Sequence, residues 1–126
     1  MMIEIFNSKL PKLIKRIACF ESLTEGELYI DFMFIEFFDE STIGLEVDSS
    51  GENILFVYKE DIKKSIKSTG IKYLERSVVK GPLLLKDVVY KLSDIDELQE
   101  LSFIFDLQTV NVSLKLDAFE IKVNNS

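Results

Sequence analysis

The apolar segment at residues 28–38 restricts the fold more than any other feature of the sequence. It is rich in aromatic and branched side chains, and it carries four phenylalanines, Phe32, Phe34, Phe37 and Phe38. Such a segment is too apolar for a surface helix, and aromatic and β-branched residues favour strands. We therefore predict a long strand that is covered on most of both faces and lies centrally in a sheet.

Two shorter strands are predicted directly after it. Residues 42–48 alternate between apolar and polar side chains, as a half-buried strand does, and residues 54–58 form the next apolar segment. A turn at Ser49, Ser50 and Gly51 separates the two segments. Because short connections usually join antiparallel neighbours, the three strands are expected to form an antiparallel meander.

The same alternation returns near the C-terminus. Residues 110–116 alternate between apolar and polar side chains, and residues 119–123 resume the pattern after a change of phase at Asp117 and Ala118. A phase change of one residue is typical of a bulge or a tight turn. The sequence therefore predicts C-terminal strands that continue the sheet.

A helix is predicted at the N-terminus, over residues 9–20. Asn7 and Ser8 suit the N-cap, and Pro11 suits the first helical turn, where its missing N–H is tolerated. Apolar residues recur at helical spacing at Leu10, Leu13, Ile14, Ile17 and Ala18. This pattern predicts an amphipathic helix that packs on the sheet.

Further helical segments are predicted in the middle of the chain. Residues 60–68 fit a short helix that ends at Gly70. Residues 71–92 leave two alternatives open, because 71–79 fit a strand whereas 84–92 fit a helix. Asp94 and Glu97 have the spacing of a capping box, which predicts one helical turn.

These elements together predict an α+β fold that spans residues 1–126 as a single domain. Its N-terminal helix would pack on a mainly antiparallel sheet, which consists of the meander and the C-terminal strands. One or two further short helices would complete the fold.

The absence of histidine excludes several functions. Ser-His-Asp and Cys-His catalysis, histidine-ligated zinc and two-histidine iron sites all require that residue, and the sequence has none. Asp31 and Glu36 are five residues apart on one predicted strand, so they should point to opposite faces and not form an acid-base pair. We expect no catalytic residues, no cofactor and no metal site, and we expect Cys19 to be inert.

The location of the protein is also constrained. No apolar run reaches the roughly 18 residues that a membrane-spanning helix requires. The first residues lack the order of a secretory signal, and a single cysteine cannot form an internal disulfide. We expect a cytoplasmic protein without membrane contact.

Charge is distributed in blocks along the chain. Residues 21–61 have a formal charge of −11, and residues 93–126 have −5, whereas residues 1–20 and 62–92 have +3 and +6. Between Arg16 and Lys59 there is no basic residue. The meander is therefore expected to present an acidic surface for a basic protein partner, with these carboxylates in contact: Glu36, Asp39, Glu40, Glu46, Asp48 and Glu52.

Two considerations limit this interpretation. A negative surface repels nucleic acid, and 13 lysines against 2 arginines leave few of the forked donors that suit phosphates and bases. We therefore expect no nucleic-acid partner. The alternative interpretation of the acidic block is that the neighbouring basic segments pack against it and cancel its field.

In general character, a small, acidic, histidine-free domain of this kind resembles the immunity proteins that neutralise bacterial toxins. The resemblance lies in composition and charge, and it carries over no individual residue. It implies an inhibitor that covers a basic toxin, such as a nuclease domain. A structural or assembly subunit that forms a homo-oligomer is the first alternative. A small-ligand-binding domain or a carboxylate-based enzyme is the second.

Overall fold

The computed structural model describes residues 6–125, and most of the chain is in strands. Strands account for 62% of the residues and helix for 11%. In order, the elements are β1 (Lys12–Thr24), β2 (Glu27–Phe37), β3 (Thr42–Val47), β4 (Ile54–Val57), α1 (Lys59–Thr69), β5 (Leu74–Leu85), β6 (Asp87–Leu92), β7 (Leu98–Ile104), β8 (Gln108–Lys115) and β9 (Ala118–Asn125).

The strands form two antiparallel sheets. The first has the order β4-β3-β2-β1-β5, so β2 is its central strand, as the sequence predicts. The second has the order β6-β7-β8-β9 and contains only consecutive neighbours. The predicted meander is present as β2, β3 and β4.

One core lies between the two sheets. The first sheet contributes apolar side chains from its inner face, and the second sheet contributes its own from the facing side. Fully buried residues of this core include Ile17, Met33, Ile35, Leu45, Leu101, Phe103, Val110 and Val112. Two sheets that bury their apolar faces against each other form a β-sandwich.

Strands of the second sheet run across those of the first. The β6–β7 turn lies beside the β3–β4 turn. The side chain of Asn53, in the β3–β4 turn, accepts a hydrogen bond from the backbone N–H of Leu98, the first residue of β7, at 2.8 Å. At the other end of β7, Asp106 forms an ion pair with Lys86, which directly follows β5. Strand β7 therefore extends from one edge of the first sheet to the other.

Helix α1 covers the outer face of the first sheet, opposite the second sheet. Its Ile62 is fully buried and packs with Phe20, Phe32 and Phe34. Gly44 of β3 makes this approach possible, since a Cβ atom there would lie 2.5 Å from Cδ1 of Ile62. The helix ends at Gly70 in a left-handed conformation (φ 70°), as the sequence predicts.

The prediction of an α+β fold with an N-terminal helix is wrong, and the C-terminal strands that were predicted to continue the meander belong instead to the second sheet. Residues 12–24 form strand β1, which pairs with β2 and β5. A bulge at Lys15 shifts the alternation, so Ile14 and Ile17 both point to the inner core although they are three residues apart. A spacing of three residues between apolar side chains is also typical of a helix, which is why the pattern predicted one. The predicted cap residue Asn7 instead bonds through its side chain to the backbone of Val88.

The helical alternative that was left open for residues 84–92 does not hold, and the helical turn predicted at Asp94 and Glu97 is wrong. Residues 84–92 belong to β5 and β6, which meet at Lys86 without a turn of helix between them. Residues 93–97 form a turn, in which the hydroxyl of Ser93 accepts hydrogen bonds from the backbone of Ile95 and Glu97. The phase change near residue 117 is a tight turn, because Leu116 and Asp117 both have positive φ.

No helix within residues 6–125 is long and apolar enough to cross a membrane.

Candidate partner-binding surface

Five of the six carboxylates predicted to bind a partner separate into two groups, and the sixth, Glu46, lies between them on β3. Glu36, Asp39 and Glu40 lie where β2 turns into β3, whereas Asp48 and Glu52 lie in the β3–β4 turn. The six-residue strand β3 lies between the two turns and spans roughly 16–20 Å. The acidic block of the sequence is therefore not one contiguous surface.

Lysines of β1 neutralise the turn between β2 and β3. Lys12 forms an ion pair with Asp39 at 2.9 Å, and Lys15 forms one with Glu40 at 3.0 Å. The hydrogen bonds that Asp39 accepts from Lys12 and Ser41 hold the pKa of its carboxyl below the ordinary value. This part of the block agrees with the alternative interpretation, because basic residues of a neighbouring segment cancel its charge.

Glu36 is neutralised within a polar cluster on the outer face. Arg16 lies 2.9 Å from its carboxylate and Lys59 lies 3.6 Å from it, and both cations also stand over the ring of Phe34. Burial acts to raise the pKa of Glu36, but the hydrogen bond from Arg16 and the charge of Lys59 outweigh it, so the pKa is lowered. Arg16 also binds Glu75 at 3.0 Å.

Glu46 stands apart from both turns. It points to the outer face from β3 and is half-buried. Burial, with a smaller contribution from the charge of Asp61 at the start of α1, raises the pKa of its carboxyl. Glu46 is therefore poorly placed to meet a partner directly.

A second set of carboxylates surrounds the β3–β4 turn. The turns at residues 48–53, 93–97 and 116–117 contain six carboxylates and no lysine or arginine. We call this set the acidic corner; it consists of Asp48, Glu52, Asp94, Asp96, Glu97 and Asp117. Within residues 6–125, none of the six forms an ion pair. The corner thus joins parts of the two acidic blocks of the sequence.

Hydrogen bonds hold the β3–β4 turn against the β6–β7 turn. Besides the bond between Asn53 and Leu98, the side-chain amide of Gln99 donates to the carbonyl oxygen of Glu52. Within the β3–β4 turn, the carboxylate of Asp48 accepts from the backbone and hydroxyl of Ser50. The bond from Ser50 lowers the pKa of Asp48 and keeps the carboxyl ionised.

The β8–β9 turn is packed directly on the β3–β4 turn. Gly51 has a φ of 75°, and a Cβ atom there would overlap with the carboxylate of Asp117. Glycine is the residue that accepts both the positive φ and the close approach. The three turns are therefore fixed relative to one another.

Two exposed apolar side chains lie among the carboxylates. Ile95 is 74% exposed and Leu116 is 82% exposed, each on one of the turns. Ile95 also borders an open cleft of about 310 Å³, whose lining is otherwise mostly polar: Glu52, Ser93, Asp94, Glu97 and Gln99. Apolar side chains surrounded by polar ones are typical of protein interfaces.

A groove of about 370 Å³ extends from the acidic corner toward the end of α1. Asp31 lies in it and accepts a hydrogen bond from the hydroxyl of Tyr73 at 3.2 Å. Burial raises the pKa of Asp31. A register shift in β1 and β2 turns Asp31 to the outer face, so the prediction that Asp31 and Glu36 point to opposite faces is wrong. They remain roughly 16 Å apart along β2.

The acidic corner supplies electrostatic attraction for a basic group. Cys19 is fully buried, and burial raises the pKa of its thiol. Within the described part of the chain, no group of three or more cysteine, aspartate and glutamate residues is arranged to hold a metal ion. Of the corner residues, sequence reasoning identified Asp48 and Glu52. It missed the other four, although the charge of −5 over residues 93–126 pointed to that region.

Comparison of the chain with protein-family models, with curated proteins and with solved structures finds no match.

Proposed function

We propose that the chain is a non-enzymatic, cytoplasmic protein-binding module whose acidic corner binds a basic protein partner. The observation that carries the proposal is a set of six carboxylates, unpaired within the described residues, on three turns that are fixed to one another. Fixed turns lose little conformational entropy on binding, so more of the contact energy contributes to affinity.

The charge of the corner supports fast association. A negative surface attracts a positive one over about a Debye length, which raises the association rate without requiring a close fit. Ile95 and Leu116 supply the apolar contacts that a purely electrostatic encounter lacks. The charged and apolar groups together suit a specific complex with a basic surface.

The proposed partner is a basic toxin, for instance a nuclease domain, and the proposed role is that of an immunity protein. A nuclease domain must carry a basic surface in order to bind nucleic acid. An acidic module that covers this surface blocks the substrate by both shape and charge. The same charge is unsuited to binding nucleic acid itself.

The test compares three forms of the chain in capture from a lysate of the source cells. The corner variant carries Asp94→Asn, Asp96→Asn and Glu97→Gln, and the control variant carries Asp39→Asn and Glu40→Gln in the neutralised turn. We expect a basic protein that the wild type and the control retain and that the corner variant loses. Expression of the captured protein should inhibit growth, and co-expression of the wild type should relieve the inhibition. Equal retention by the corner variant would contradict the proposed surface, and a harmless captured protein would contradict the immunity role.

A further inference from the structure

Strand β5 leaves one edge of the first sheet open. It is 12 residues long and, within residues 6–125, pairs with β1 alone. The backbone groups on its other side therefore face no strand of the described chain. Long open edges pair readily with another strand, and most proteins shorten or block them.

The charges of β5 are complementary to themselves. When two copies of β5 pair antiparallel about a two-fold axis between Ser77 and Val78, Glu75 of each copy lies opposite Lys80 of the other. Both side chains point to the outer face. Their cross-strand neighbours in β1 are Phe20 for Glu75 and Arg16 for Lys80, and both of these neighbours point to the outer face. Lys80 forms no ion pair with any residue of the described chain, whereas Glu75 already binds Arg16 of its own chain at 3.0 Å and would be shared between Arg16 and Lys80 of the other copy.

An exposed apolar patch lies at the first end of β5. Leu23 and Leu28 are cross-strand partners near the tip of the β1–β2 hairpin, and Leu74 pairs with Glu21 beside them. All three leucines lie on the inner face of the first sheet, as Cys19 does, but beyond the area that the second sheet covers. Each is about two-thirds exposed (68%, 68% and 67%). Contiguous exposed leucines of this kind mark an interaction site.

A matching apolar group lies at the other end of β5. Leu107, in the β7–β8 turn, is 75% exposed and lines a cleft with Pro82 and Leu84. This turn stands on the inner side of β5. In an antiparallel register about that axis, Leu74 of one copy would lie opposite Gly81 of the other, and Leu107 of each copy is expected to face the leucine patch of its partner copy.

We propose that a second copy of this chain docks on β5, so that the first sheets of two copies form one continuous ten-stranded sheet. Backbone hydrogen bonds between the two β5 strands, two ion pairs between Glu75 and Lys80, and two contacts of Leu107 with the leucine patch hold the copies together. The two-fold axis makes each contact occur twice.

The geometry closes the assembly at two copies. Pro82 lies just beyond the paired residues 74–81, where its missing N–H loses no hydrogen bond. A bulge at Val78 adds twist to each β5 strand, and in this register Val78 of each copy lies opposite Ser77 of the other, next to the axis. The opposite edge strand, β4, has only four residues and offers little for further addition. The acidic corner lies on the β4 side, so the dimer leaves both corners free.

Sedimentation equilibrium of the full chain at several concentrations tests the proposal. We expect a mass of twice 14.5 kDa. Lys80→Glu should raise the dimer dissociation constant by about tenfold. Adding Glu75→Lys should reverse only part of this loss, because it exchanges the charges between the copies but also places a lysine beside Arg16 of its own chain. Leu74→Asp should weaken the dimer by a similar factor, whereas Leu116→Asp, at a leucine that is more exposed but lies at the acidic corner, should leave it unchanged.

Two results would overturn the proposal. One is a wild-type chain that stays monomeric up to several hundred micromolar. The other is a dimer whose dissociation constant is changed by neither Lys80→Glu nor Leu74→Asp, when circular dichroism shows that both variants are folded. Both results leave the proposed role of the acidic corner untouched, since no corner residue takes part in the β5 contact.

Discussion

Gly51 and Asp117 are in direct contact, although the sequence places them in separate acidic blocks. The contact brings the β3–β4 turn of the first sheet against the β8–β9 turn of the second. It thereby unites carboxylates that are far apart in the chain into the acidic corner.

Gly51→Ala should destabilise the protein by about 2 kcal/mol or more, because the new Cβ overlaps with Asp117 and the backbone has a positive φ. Gly26→Ala is the matched control, since Gly26 also has a positive φ (81°) but has no atom within 4 Å of an added Cβ. The control should lose only about 1 kcal/mol. Urea unfolding measures both, and equal losses would contradict the close packing of the two turns.

Gly44→Ala should destabilise the protein by about 1–3 kcal/mol, because the added methyl group meets Cδ1 of Ile62 under helix α1. Ile62→Val removes that Cδ1 atom. In the double variant, Gly44→Ala should therefore be less destabilising than it is alone, which a double-mutant cycle of unfolding free energies measures. Strict additivity would show that α1 does not pack on β3 through these two residues.

Glu36→Gln should lower the free energy of unfolding at pH 7 by about 1–3 kcal/mol, since it leaves the half-buried Lys59 without its carboxylate and Arg16 with Glu75 alone. The pKa of Glu36 is lowered in the folded state, so its stabilisation is present above the unfolded pKa of about 4.3 and is lost as pH falls through the folded pKa.

The same measurement on Glu40→Gln provides the control for Glu36. The ion pair of Glu40 with Lys15 is mostly exposed, so its loss should change stability by less than about 1 kcal/mol at any pH. If the effect of Glu36→Gln persisted unchanged at acid pH, the charge of Glu36 would not be the source of its stabilisation.

Asp31→Asn should stabilise the protein at pH 7. Burial raises the pKa of Asp31 in the folded state, so its ionised form is disfavoured there relative to the unfolded chain. The gain in the free energy of unfolding from Asp31→Asn is therefore greatest above the pKa of Asp31 in the folded state. It is lost as pH falls through that pKa toward the unfolded value of about 3.9. Thermal unfolding at several pH values measures the difference, and a destabilised variant at pH 7 would contradict the burial of a charged Asp31.

Most of the strands that sequence patterns predicted have undisturbed alternation. Strands β3, β4 and β9 keep their phase, and α1 has its left-handed glycine. Strand β2 has a register shift at Asp31, but it is recognisable because it is apolar on both faces. Strand β1 was misread because the bulge at Lys15 gives Ile14 and Ile17 the spacing of a helix while both face the same core. A bulge depends on partner strands, which are far away in the sequence.

The site could be predicted only in part for a similar reason. Sequence reasoning recognised the carboxylates near residue 48 because they lie in one uninterrupted acidic stretch. Whether a carboxylate is neutralised depends on register: Lys12 and Lys15 reach Asp39 and Glu40 only because β1 pairs with β2. The approach of residues 94–97 to Glu52 depends on how the two sheets cross, which no local pattern encodes.

The association rate constant of the captured partner is the most direct test of the central claim, that the acidic corner binds a basic protein. Stopped-flow measurement should find the rate of the Asp94→Asn, Asp96→Asn, Glu97→Gln variant about tenfold below that of the wild type at low salt, with the difference disappearing at high salt. The Asp39→Asn, Glu40→Gln control should stay within about twofold of the wild type, because those carboxylates are already paired. Equal rates for all three forms at low salt would contradict the claim.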